Sequence, residues 1–95
     1  MPEMRFVVRW PDGQVERCYS PSTIVAERLT AETDYPLADF VRAATAALEE
    51  ASERVRARYG MGCGHAMHQA DRIREAGRRF AGIPGATVHI ERFES

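Results

Sequence analysis

The chain has 95 residues, 44% of them apolar and 28% charged, with a formal net charge of −1. That length hides roughly two thirds of the unfolded surface, enough for one core, so residues 1–95 are read as a single domain. The near-neutral balance points away from nucleic acid and membrane surfaces as partners, and no run approaches the length that spans a bilayer.

The amino terminus, Met1-Pro2-Glu3-Met4-Arg5, leads into no apolar signal segment, so the cytoplasm is the expected location. Residues 4–10, Met-Arg-Phe-Val-Val-Arg-Trp, are aromatic and β-branched and predict a strand. Pro11-Asp12-Gly13 supplies a type I turn followed by a residue at positive φ, a three-residue hairpin loop with a glycine bulge. Residues 14–19 are the return strand. With Trp10 facing Gln14, Val8 opposes Glu16 and Phe6 opposes Cys18, which puts Cys18 on the core face. A one-residue slip would invert every side chain, and the Pro-Asp-Gly chemistry favours the first register.

Ser20 is read as the cap of a short helix opened by Pro21, with Ile24, Val25 and Leu29 on its apolar side. Residues 30–35 read as a polar loop. Pro36 opens the main helix, whose stripe is Leu37, Phe40, Val41, Ala44, Leu48, Ala51, Val55 and Tyr59. Gly60 and Gly62 end it. A second helix runs from about Cys63 to Phe80, with Cys63, Met67, Ala70, Ile73, Gly77 and Phe80 inward. Gly82-Ile83-Pro84-Gly85 breaks it, and residues 86–93 alternate like a half-buried strand. The predicted class is α+β: a three-stranded sheet with an antiparallel helical hairpin on one face, in the order β-β-(short α)-α-α-β.

The densest chemical cluster is Cys63-Gly64-His65-Ala66-Met67-His68. His65 and His68 share one helix face, and Cys63 sits at a helix amino end, where the dipole favours a thiolate. Three readings compete. A metal site of Cys63, His65 and His68 would need Cys18 or His89 to complete its ligand set, and the spacing matches no standard zinc motif. A reactive thiol lacks an oriented third group. A buried thiol with two solvated imidazoles is favoured, because free cysteine is among the most buried residue types. No metal and no cofactor is therefore expected. Cys18-Tyr19-Ser20-Pro21-Ser22 is the second cluster, read mainly as strand end and helix cap. The clustered arginines Arg54, Arg56, Arg58, Arg72, Arg74, Arg78 and Arg79 are interleaved with carboxylates and read as helix ion pairs.

Four runs in order, Arg9-Trp10-Pro11-Asp12-Gly13, Cys18-Tyr19-Ser20-Pro21-Ser22, residues 35–40 (Tyr-Pro-Leu-Ala-Asp-Phe) and residues 51–60 (Ala-Ser-Glu-Arg-Val-Arg-Ala-Arg-Tyr-Gly), resemble a small bacterial family of nitrogen-starvation response proteins. The resemblance covers nearly the whole chain. It implies a gene neighbourhood holding a nitrilase, a radical-SAM protein, an acetyltransferase and a flavoprotein, and hence a link to nitrile or cyanide nitrogen assimilation. It implies no reaction and no catalytic residues. The shared runs contain Cys18, Ser20 and Ser22 but neither His65 nor His68.

The expected function is therefore that of a non-catalytic accessory or regulatory protein. It binds either a partner protein of that gene cluster or a small nitrogenous ligand, with Cys18, Ser20, Ser22 and Cys63 as candidate contacts. The alternatives are a thiol-dependent enzyme or carrier using Cys63 or Cys18, and a metal-binding module using Cys63, His65 and His68. An exposed sheet face carrying Val7, Val15 and Tyr19 would be an apolar patch, and a homodimer is expected from it.

Overall fold

The computed structural model describes residues 3–95; Met1 and Pro2, on which part of the amino-terminal reading falls, lie outside the described residues. The elements are β1 (Met4–Arg9), β2 (Val15–Ser20), α1 (Ile24–Arg28), β3 (Thr33–Pro36), α2 (Leu37–Tyr59), α3 (Gly64–Phe80) and β4 (Thr87–Glu94). The α+β class holds, but the sheet has four strands rather than three, in the order β2-β1-β4-β3 with every neighbour antiparallel.

The first hairpin has the expected register, with Phe6 opposite Cys18 and Val8 opposite Glu16. Trp10 N–H donates to the Gln14 carbonyl and Gly13 N–H to the Trp10 carbonyl, both at 2.8 Å. Gly13 takes φ 88°, a conformation that favours glycine.

The additional strand is β3, in the stretch read as a polar loop. Glu32 turns the chain with φ 58° and donates its N–H to the Ile90 carbonyl, so residues 33–36 pair with residues 87–90. Glutamate carries no signal for a left-handed turn, and a four-residue edge strand is too short for alternation to stand out. Pro36 closes β3 and sits at the N-cap position, and α2 begins one residue later at Leu37.

The short helix also begins later than expected. Ser20 Oγ donates to the Ser22 carbonyl at 2.7 Å, and Ser22 Oγ accepts the Ile24 N–H at 3.2 Å. These local bonds satisfy backbone groups two residues along the chain. Helix α1 therefore starts at Ile24, with Thr23 rather than Ser20 at its N-cap.

Helices α2 and α3 pack together and cover one sheet face. Their core with the sheet contains Phe6, Val8, Trp10, Phe40, Leu48, Ile73 and Ile90. Trp10 is the junction: its ring meets Phe40 edge-on at 5.5 Å, stacks on Phe80 at 6.0 Å, and donates Nε1–H to Glu16 at 3.0 Å.

The helix stripes are shifted from those expected. On α2, Val55 is half-buried and Tyr59 is 64% exposed, because the helix outruns the sheet beneath it. On α3 the inward residues are Ala66, Gln69, Ala70, Ile73, Ala76 and Phe80, while Met67 points to solvent.

The opposite sheet face is charged. Arg9 pairs with Glu91, and Arg17 and Arg92 converge on Glu94. Val7 lies between Arg17 and Arg92 in register and is fully buried. Arginine stems cover apolar surface while their heads stay in water, so the expected Val7–Val15–Tyr19 apolar patch does not form. Glu91 is the extra residue of a bulge opposite Val7 and Val8, which lets both Glu91 and Arg92 serve this face.

The helices approach closely where Gly77 faces Val41. A Cβ at Gly77 would lie 2.9 Å from Val41 Cγ2. Gly77→Ala is expected to destabilise the protein by about 1 kcal/mol, since overpacking of about 1–3 kcal/mol outweighs a helix-propensity gain of about 1 kcal/mol. In a Val41→Ala background the same change is expected to stabilise. Urea unfolding of the four proteins in the cycle measures this, and the sign should invert.

Candidate functional site

Strand β2 lies at a sheet edge, and the amino-terminal half of α3 runs beside it. An edge strand leaves backbone groups without a ladder partner. Gln69, on the inner face of α3, meets this need: its Oε1 accepts the Tyr19 N–H at 3.0 Å. Gln69 is only 7% exposed, and its Nε2 is the one buried side-chain polar atom among the described residues without a hydrogen-bond partner. Leaving such a donor unmatched costs about 1–3 kcal/mol.

Gln69 lines a cleft of about 350 Å³ together with Glu3, Arg5, Tyr19, His65 and His68. Tyr19 is the wall. Its ring meets His65 edge-on at 6.1 Å and carries the Arg5 guanidinium 4.8 Å above it. Loss of water pushes the Tyr19 hydroxyl up to about 12, with the nearby Cys63 thiol and Glu3 carboxylate adding to the rise. Arg5 is half-buried and makes no ion pair among the described residues, unlike most arginines of the chain.

Cys63 occupies the N-cap position of α3, half-buried, with its backbone N–H donated to Ser52 Oγ at 3.0 Å. Its far side borders a second cleft of about 490 Å³, shared with Ser52, Glu53, Arg56 and Met67. At the other end of the helix pair, an apolar groove of about 710 Å³ lies among Leu37, Val41, Gly77, Ala81 and Ile83.

The residues singled out in the sequence separate into different environments. Cys18 is fully buried in the core, where burial above all, and Glu16 after it, drives its thiol pKa far upward while Arg72 opposes the rise. Ser20 and Ser22 are fully buried and bond to backbone within their own turn. Cys63 is half-buried and packs against the margin of the core. His65 and His68 are exposed and share the cleft, but among the described residues no group of three or more His, Cys, Asp or Glu side chains is placed to hold a metal ion.

Gln69, Arg5 and Glu3 went unremarked in the sequence. One signal was available for Gln69: it stands in the i, i+3, i+4 series of Ala66, Ala70 and Ile73, a polar residue at a core position.

Fold and cleft together define a small α+β protein with a polar cleft at a sheet edge, and no helix of the described residues is long and apolar enough to cross a membrane. The family of nitrogen starvation-induced protein NitG matches residues 5–93, and the chain belongs to that family. No curated protein and no solved structure matches it.

The two thiols should report their environments directly. With an aromatic disulfide reagent at neutral pH, one thiol per chain, Cys63, is expected to react in the native state, and Cys18 only after unfolding. The folded thiol of Cys18 holds its proton more tightly than the unfolded one, so its contribution is complete below the ordinary value of 9.0 and is lost as pH rises above it. Melting curves should show stability falling by up to about 1.4 kcal/mol per pH unit from pH 9 upward. Cys18→Ala should remove that fall between pH 9 and 10, leaving the Tyr19 fall from 10 to about 12.

Proposed function

We propose that this chain is a non-catalytic accessory or regulatory protein of the nitrogen-starvation response, linked to nitrile or cyanide nitrogen assimilation. It acts by binding a small nitrogenous ligand in the cleft between β2 and α3. Family membership supports the biological setting, and the unmatched Gln69 donor supports the binding site. A buried donor without an acceptor is rare in native structures, and among the described residues this one belongs to a side chain on the lining of a cleft that also holds a cation, a carboxylate, two imidazoles and a phenol. A ligand acceptor would remove that cost, so the site gains more from occupancy than a fully satisfied surface would.

A thiol-dependent reaction at Cys63 is the second reading, favoured by the half-buried position of the thiol close to the Tyr19 hydroxyl. The two readings differ in what Cys63→Ala does. Under binding alone the variant keeps its ligand, whereas under thiol chemistry it loses all function.

Purification of the tagged chain from nitrogen-starved cells, followed by mass spectrometry of the material released on denaturation, tests the proposal. A small nitrogenous molecule at near-stoichiometric amount is expected. A bare chain, or a ligand retained equally by Gln69→Glu, would overturn it.

A further inference from the structure

We infer that the cleft between β2 and α3 anchors its ligand through a carboxylate, held by the Arg5 guanidinium and the Gln69 amide nitrogen. The inference rests on the ligand-binding reading above and names the group that the site recognises.

The lining is dominated by donors. Gln69 is held in one orientation because its Oε1 takes the Tyr19 N–H, so the other end of the amide presents N–H and not oxygen. That N–H is buried and has no acceptor among the described residues. Arg5 offers a planar fork of N–H groups, is half-buried, has no carboxylate partner among the described residues, and is braced on the Tyr19 ring at 4.8 Å. A guanidinium fork and a carboxylate match in geometry, and charge-assisted bonds of this kind are the strong ones. His65 and His68 flank the cleft and are exposed, so small rotations that admit an oxygen to the Gln69 nitrogen are fast.

Two further features limit the ligand. Glu3 stands on the same lining, and its negative charge repels a dianion such as phosphate about twice as strongly as a single carboxylate. At about 350 Å³ the cleft lies near the lower end for small-molecule sites, which fits an acid of a few carbons.

Solution NMR of the uniformly 15N-labelled chain reads the proposed contact directly, through the side-chain NH2 pair of Gln69. The probes are sodium propionate, propionamide and inorganic phosphate at matched ionic strength. Propionate is expected to move the Gln69 pair and to saturate, with at least about tenfold weaker binding in Arg5→Gln. Gln69→Glu keeps an oxygen for the Tyr19 N–H but removes the donor, and it should also lose propionate. Should that variant fail to fold, Arg5→Gln, at a half-buried surface position, carries the test alone. If propionamide binds as well as propionate, the carboxylate inference falls while the ligand-binding reading stands. If phosphate alone shifts the pair, the inference falls through its charge limit. If no probe moves the Gln69 resonances, both the inference and the assignment of this cleft fall.

Discussion

The packing of Trp10 between Phe40 and Phe80 ties the molecule together. One indole joins the end of β1 to the first turns of α2 and to the last turn of α3. Its apolar area supplies the burial energy, and its Nε1–H reaches Glu16 across the hairpin so that no polar atom is stranded. Because the same ring touches both helices, it sets where the helical hairpin sits along the sheet. The position of α3 beside β2, and hence the cleft, follows from that placement.

The two sheet faces solve different problems with the same strand residues. Inward, Phe6 and Val8 meet the helices. Outward, arginine and glutamate form ion pairs over a fully buried Val7. Exposed pairs of this kind add little stability each, but their stems remove apolar surface from water. Arg92 and Arg17, through hydrogen bonds to Glu94, hold its carboxyl below the ordinary range, as expected of a charge lattice.

The cleft arises from a problem of backbone chemistry at the sheet edge. Tyr19 N–H has no strand beside it, and Gln69 completes it from the helix. Only one end of a primary amide is used in that contact, which leaves the other a buried donor without a partner among the described residues. The contact to the strand edge needs a side-chain acceptor, which another alanine at that position in the stripe of α3 could not supply.

The sequence by itself determined the local elements whose causes are local. Pro11-Asp12-Gly13 sets the first hairpin and its register. The 3.6-residue periodicity sets both long helices, and Gly60, at φ 83°, ends the first of them. The runs shared with the nitrogen-starvation family were legible in the same way. The tertiary structure alone decided the rest. It made a strand of residues 33–36, since a four-residue edge needs β4 beside it. It exposed Tyr59 and Met67 and buried Gln69, since burial depends on which partner faces each turn. It separated Cys18 from Cys63 in environment and collected Glu3, Arg5, Tyr19, His65, His68 and Gln69 around one cleft. Those six residues span 67 positions of chain from Glu3 to Gln69 inclusive; helix spacing relates His65, His68 and Gln69, and hairpin register relates Arg5 to Tyr19, but no spacing rule brings the two groups together.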